Sequence, residues 1–426
     1  MSSPASVART EDFATATAPT ETGEMESQSP PRFLVKGTPA FRRASLALSM
    51  SGFSTFALLY CVQPLMPIFS EDFGVSPAAS SLSLSLSTGF LAVAILCAAI
   101  VSERFGRRNL MFCSMLGASL CTIACALVSD WNMLLVIRAV EGILLGGVPA
   151  VAMAYLSEEI DPKSLGGAMG LYIAGNAFGG MAGRVVTGIL AEYLSWRPAL
   201  ALMGCLGLAA AIGFFLLLPP SRNFAPRKSH IRYHAEAWVG HLKSPALPYL
   251  FVIGFVLMGA FVTIYNYAGF RLVQAPYDLG QTELGLIFTV YVFGIFGSWI
   301  AGILGDRFGQ FVVLPIGISA ELAGVLLTLG SGLPQIIIGI VLLTSGFFIA
   351  HSVASALVGR LARGTKGHAS ALYLLSYYLG SSVAGSIGGH FWSAAGWPGV
   401  VGFTATLLVI GLAAGFQARR LSKRAA

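Results

Sequence analysis

Five ionisable side chains stand in stretches otherwise too apolar to hold them. Arg138 and Glu141 are three positions apart, so on a helix they share one face. A guanidinium at the centre of a bilayer costs roughly 2.5–3.5 kcal/mol on insertion scales, so it must face a cavity or a partner. Glu141 either neutralises Arg138 permanently or titrates beside it, since burial and a neighbouring cation push a carboxyl in opposite directions. Glu321, between Ala320 and Leu322, is a carboxyl able to carry a proton, or one kept protonated against a neighbouring helix. His351 is a candidate proton shuttle near neutral pH, or a packing histidine. Arg184 follows Gly183 with no acid nearby in sequence. It needs a carboxylate, a carbonyl or a substrate anion, as a tie between helices or as a recognition residue.

Composition fixes the solvent around these groups. Hydrophobic residues make up 55% of 426 and charged ones 11%, with 50 glycines and a mean hydropathy of +0.76. A soluble domain carries roughly 25% charged residues. Twelve apolar segments of spanning length follow, roughly 45–68, 81–101, 109–129, 132–156, 166–190, 198–218, 247–270, 283–304, 311–330, 334–357, 369–391 and 398–417. Spans two, five and eleven are diluted by Ser and Gly. In lipid each must be helical, because no water satisfies bare backbone.

The chain is written twice. Ala99-Ile100-Val101-Ser102-Glu103-Arg104-Phe105-Gly106-Arg107 returns 203 positions on as Gly302-Ile303-Leu304-Gly305-Asp306-Arg307-Phe308-Gly309-Gln310. Tyr172, Gly179, Gly188 and Trp196 return as Tyr373, Gly380, Gly389 and Trp397, each 201 positions later, and Phe56 and Tyr60 pair with Phe261 and Tyr265. Two similar membrane halves imply motion of one against the other around a shared site. Gly175, Gly179 and Gly183 form a small-residue ladder for close helix packing, echoed by Ser376, Gly380 and Ala384.

The domain reading is a polar, disordered tail at 1–43, a six-helix bundle at 44–218, a linker at 219–246, a second bundle at 247–418 and a basic tail at 419–426. A short surface helix is expected from Arg232 to His241. Of 26 Lys and Arg residues, 22 fall in the tails and the even-to-odd loops, which places both termini in the cytoplasm. The formal charge of +7 is therefore a topology signal and not a nucleic-acid surface. All six cysteines lie in the first half without metal-ligand spacing, and free buried thiols are expected. His230 and His234 are four apart, but no third ligand is near, so a solvated loop is expected and no metal. No Walker, Gly-x-Ser-x-Gly or His-Glu-x-x-His pattern occurs, so neither an enzyme nor a cofactor is expected.

Six spans, a basic linker and six more spans, with an acid-Arg-x-Gly-Arg loop after span two, resemble the major facilitator superfamily over about residues 42–418. The resemblance is nearest to twelve-span bacterial inner-membrane drug:proton antiporters, the YnfM-like branch. It runs through Phe56-Ala57-Leu58-Leu59-Tyr60-Cys61-Val62-Gln63-Pro64, Tyr155-Leu156-Ser157-Glu158-Glu159-Ile160 and Ser376-Tyr377-Tyr378-Leu379-Gly380. The resemblance implies an all-α membrane fold of two pseudo-symmetric six-helix bundles. It implies a cytoplasmic latch at Glu103, Arg104, Gly106, Arg107 and Arg108, with a weaker copy at Asp306, Arg307 and Gly309 that ends in Gln310. Arg138-Ala139-Val140-Glu141-Gly142 is similar to the Arg-x-x-Gln-Gly motif of proton-driven members, with Glu141 where Gln is usual. Arg184 stands where antiporters carry Pro. Spans 1, 4, 7 and 10 line the cavity in this fold, helped by 5 and 11. The cavity candidates are Tyr60, Gln63, Tyr172, Asn176, Arg184, Tyr265, Asn266, Tyr267, Tyr373 and Tyr377, which suit an organic solute of modest polarity. The expected protein is a monomeric bacterial inner-membrane exporter of small organic compounds, driven by protons. The rivals are a sugar or metabolite permease on the same fold and a non-transporting sensor.

Overall fold

The computed structural model describes residues 33–224, 231–362 and 364–424, apart from the side chains of Ala99, Glu103 and Ile231. The expected disordered tail, apart from residues 33–43, lies outside the described residues, as does His230. Among the described residues every regular element is helical, and one isolated bridge joins Leu34 to Ile160.

The first half holds α1 (Pro39–Tyr60), α2 (Met66–Asp72), α3 (Pro77–Phe105), α4 (Arg107–Leu127), α5 (Trp131–Leu145), α6 (Pro149–Glu159), α7 (Leu165–Leu194) and α8 (Trp196–Leu217). The linker carries α9 (Ile231–Leu242). The second half holds α10 (Leu247–Leu272), α11 (Gln281–Ile287), α12 (Tyr291–Phe308), α13 (Gln310–Leu327), α14 (Leu333–Leu361) and α15 (Lys366–Arg424). Local sequence sets the starts. Thr38, Ser76 and Asp130 accept backbone N–H bonds as N-caps, and Pro39 and Pro77 occupy the first helical position, where a missing N–H costs nothing.

Among the described residues, ten helical stretches are long and apolar enough to cross a bilayer. One of them, α15, is 59 residues long and breaks at Ala395 and Gly396 (φ 60°), so it forms two crossings. The Gly-rich α7, 30 residues with Arg184 and Glu192, supplies the remaining one. The twelve crossings thus divide six and six about α9.

The internal repeat is visible in backbone geometry. Gly106 (φ 82°) separates α3 from α4, and Gly309 (φ 88°) separates α12 from α13. Both need the left-handed conformation that glycine adopts without steric cost. The same holds for Ser195 (φ 82°) and Gly396, each just ahead of a tryptophan. Trp196 donates to Asp72 Oδ2 at 2.6 Å, while Trp397 donates to the Thr328 carbonyl at 2.9 Å.

The halves meet through α3 against α15 and through α7 against α11. These contacts run from the ends far from the linker, with Ala78 beside Gly389 and Gly188 beside Gln281 and Gly285, to mid-helix, where Ser382 donates to the Ser85 carbonyl at 2.6 Å. Glu192 accepts from the Gln281 N–H at 2.6 Å across the same seam. Near the linker, Gly166, Gly167 and Gly170 of α7 and Gly367 of α15 face open space.

Candidate functional site: the polar seam between the halves

Close helix packing positions the site. A Cβ at Gly175, Gly179 or Gly183 would stand 2.5, 2.2 or 2.6 Å from the carbonyl oxygens of Ser49, Phe53 and Ala57. The ladder therefore presses α7 directly onto the α1 backbone, as expected of small residues at four-residue spacing. In the second half a Cβ at Gly380 would lie 2.0 Å from the Phe255 carbonyl oxygen, and one at Gly259 would lie 2.9 Å from Ala384 Cβ. So α15 packs on α10 as α7 packs on α1.

One step beyond the ladder, Arg184 reaches the end of α1. It is 1% exposed. Its Nε donates to Gln63 Oε1 at 2.5 Å and its Nη1 to the Gly180 carbonyl at 2.6 Å. The guanidinium lies over Tyr60 at 4.0 Å, Phe288 at 4.9 Å and Tyr291 at 5.0 Å. Three aromatic faces stabilise a desolvated cation. No carboxylate pairs with Arg184 among the described residues. Gln63 lies in a short 3-10 turn, Gln63–Leu65, that follows α1. Its Nε2 donates to Asn266 Oδ1 of α10 at 2.7 Å. Arg184, Gln63 and Asn266 thus form a polar chain from one half into the other. Beyond it, Asn266 Nδ2 and Ser85 Oγ are buried without a partner among the described residues, and both lie within 3.4 Å of the place where a Gly385 Cβ would stand.

Arg138 and Glu141 form a second network inside the first half. Arg138 Nη1 pairs with Glu141 Oε2 at 2.6 Å, with both side chains at most 1% exposed. Its Nε and Nη2 donate to the carbonyls of Ser83 and Leu59, each at 2.8 Å. Thr122 donates to Glu141 Oε1 at 2.9 Å, and Ser87 donates to the Arg138 carbonyl at 2.8 Å. Charge and hydrogen-bonding capacity are both met, which a buried pair requires.

The remaining candidates fall in three places. Tyr265 bonds Thr344 at 2.7 Å and stacks on Phe288, joining the Arg184 cage. His351 bonds Tyr373 at 2.9 Å and lies 4.7 Å from the Tyr377 ring, between α14 and α15. Tyr172 and Asn176 pack against Gly52 of α1, nearer the linker. Tyr267 points away from these, donating to the Gly385 carbonyl at 3.0 Å and stacking on Trp392. Glu321 is fully buried where α13 meets α14, and neither carboxyl oxygen has a partner among the described residues.

The loop motif is tied within its own half. Arg107 pairs with Glu158 at the end of α6, at 2.8 Å, and also donates to Ser102. Arg108 donates to the Phe215 carbonyl and covers the Phe215 ring at 4.3 Å, while Arg104 is exposed. The Glu103 side chain lies outside what is described. Asp306 and Arg307 are exposed and make no ion pair among the described residues. Glu158 was legible as an acid but not as the partner of Arg107, because 51 positions separate them.

Two expectations are corrected. Only Cys61 and Cys125 are buried; Cys121 is half-buried, and Cys97, Cys113 and Cys205 are exposed. A thiol in a spanning helix gains nothing from an interior place when lipid tails are equally apolar. His234 is not in a solvated loop: it is buried on α9, 2.8 Å from His368 of α15. Among the described residues no group of three potential metal ligands forms.

The family model of the Major Facilitator Superfamily matches residues 48–280 and 272–425. The chain belongs to the Major Facilitator Superfamily. Among superfamily members, the uncharacterized MFS-type transporter YybF of Bacillus subtilis is 47% identical over 91% of this chain and 96% of its own. The inner membrane transport protein YnfM of Escherichia coli is 44% identical over 94% of this chain and 96% of its own. The multi-drug resistance efflux pump PmrA of Streptococcus pneumoniae is 27% identical over 62% of this chain and 67% of its own. In fold, the chain is similar to the crystal structure of a bacterial homolog of the human lysosomal transporter Spinster, inward-facing and unoccupied. The TM-score is 0.74 at 18% identity, over 90% of this chain and 98% of that one. The protein is a multi-pass membrane transporter of this superfamily and not an enzyme.

Proposed function

We propose that this transporter exports small organic compounds across the bacterial inner membrane in exchange for protons, by alternating access. The observation that carries the reading is the one-sided meeting of the halves. They are tied at the linker-distal end through Arg184, Gln63 and Asn266, while glycines near the linker face open space. The excess of Lys and Arg at the linker end makes that end cytoplasmic. The described conformation is then the one that loads solute from inside the cell. PmrA, a distant efflux pump, supports the direction.

The energetics permit it. A hundredfold gradient of a neutral solute needs about 2.7 kcal/mol. One proton crossing 100 mV supplies about 2.3 kcal/mol. Glu141, Glu321 and His351 are the proton-carrying candidates, with Arg138 the cation that sets the proton affinity of Glu141. In proteoliposomes loaded with a transported dye, flux is expected to follow an imposed pH gradient and to fall in Glu141→Gln. Flux indifferent to both removes the proton role. A metabolite permease is the second reading, favoured by Arg184 at a position where antiporters carry Pro.

A further inference from the structure

We infer that the transported solute carries an anionic group, and that this group takes the place of the Gln63 carboxamide at Arg184, loosening the tie between the halves. The inference rests on the transport reading above and names its substrate class.

Three observations lead to it. Among the described residues, Arg184 is a buried cation held only by neutral acceptors and aromatic faces. Its Nη2 makes no hydrogen bond among the described residues, so part of its donor fork is open. At the far end of the Gln63 amide, Asn266 Nδ2 and Ser85 Oγ are buried and unpartnered among the described residues, close to the Gly385 backbone. Gly385 is the repeat position of Arg184, so the second half carries no side chain at the place where the first carries a cation.

The chemistry selects the ligand. A guanidinium bonds a carboxylate through two parallel N–H donors, roughly twice as strongly as it bonds a neutral oxygen. An entering carboxylate therefore outcompetes Gln63 Oε1. A cation entering the same seam meets Arg184 as a like charge in a low-dielectric setting. Displacing Gln63 also ends the Arg184–Gln63–Asn266 chain. Loading thus weakens the closed end, as alternating access demands of a substrate.

The test is ligand-induced thermal stabilisation of the purified full-length protein in detergent, with no gradient present. The probes are benzoate, phenylacetate and indole-3-acetate, their primary amides, and the matching amines. Carboxylates alone should raise the unfolding temperature, and the shift should vanish in Arg184→Gln. Should that variant not fold, Gln63→Glu decides: its own carboxylate fills the place, raising the starting temperature and abolishing the carboxylate shift. Stabilisation by the amines, equal stabilisation by all three classes, none by any, or a carboxylate shift surviving the substitutions overturns the inference. Failure of proton-driven export would appear only in the gradient assay, so the two ideas fall separately.

Discussion

Two buried arginines solve the same electrostatic problem in opposite ways. Arg138 keeps its own carboxylate three residues away, and its partners Ser83, Leu59 and Glu141, with Thr122 bonded to Glu141, all belong to the first half. Arg184 has no acid. Its cage mixes Tyr60, Gly180 and Gln63 from the first half with Phe288 and Tyr291 from the second. A rocking motion leaves the first network intact and dismantles the second. The first suits a rigid body, and the second suits a joint.

The largest expected effect comes from stranding a charge. Arg138→Met leaves Glu141 buried beside Thr122 alone and should cost about 3–5 kcal/mol, read as a fall in unfolding temperature in detergent. Replacing both partners, Arg138→Met with Glu141→Met, should recover most of it. A double variant as unstable as the single one breaks the contrast.

Next come the glycines that seat each arginine. A Cβ at Gly142 would stand 2.2 Å from the Ser87 carbonyl oxygen, and one at Gly179 would stand 2.2 Å from that of Phe53. Alanine at either position should cost about 1–3 kcal/mol through overpacking. Only Gly179→Ala should also reduce disulfide cross-linking between cysteines substituted at Glu192 and Gln281, which face each other across the halves. Equal cross-linking losses in both variants would show that the two networks move together.

Arg184→Met removes hydrogen bonds and ring contacts but strands no acid, so its stability cost should be smaller, about 1–2 kcal/mol. Transport should nevertheless fall by more than that cost explains, measured as flux per folded molecule. The smallest effect is expected at the loop. Arg107→Gln breaks a partly exposed pair, with side chains 10% and 29% exposed, and should cost no more than about 1 kcal/mol.

The sequence made the scaffold readable because membrane constraints act locally. Spanning length, small-residue ladders and repeated turn glycines all register within a few residues, and the backbone at Gly106 and Gly309 bears the echo out. The groups that could do chemistry were also visible as ions in apolar runs. Their partners were not. Arg184 finds Gln63 across 121 positions and Phe288 across the linker, and no periodicity encodes a meeting between separate halves. Arg138 was half readable, because Glu141 lies one helical turn away, whereas Ser83 and Leu59 are brought in by packing. His234 was misjudged for the same reason: its partner, His368, is 134 residues on.

The linker grips both bodies. Glu159 accepts the backbone N–H groups of Arg222 and Asn223 at 2.8 Å, which pins the start of the linker to the first half. On α9, His234 and His241 hold His368 and Thr365, which pins its end to the second. Seven Cα steps separate Phe224 from Ile231. At roughly 3.3–3.6 Å per step, Phe224 and Ile231 can part by no more than about 25 Å. The tether therefore limits how far the two bodies can separate at the linker end.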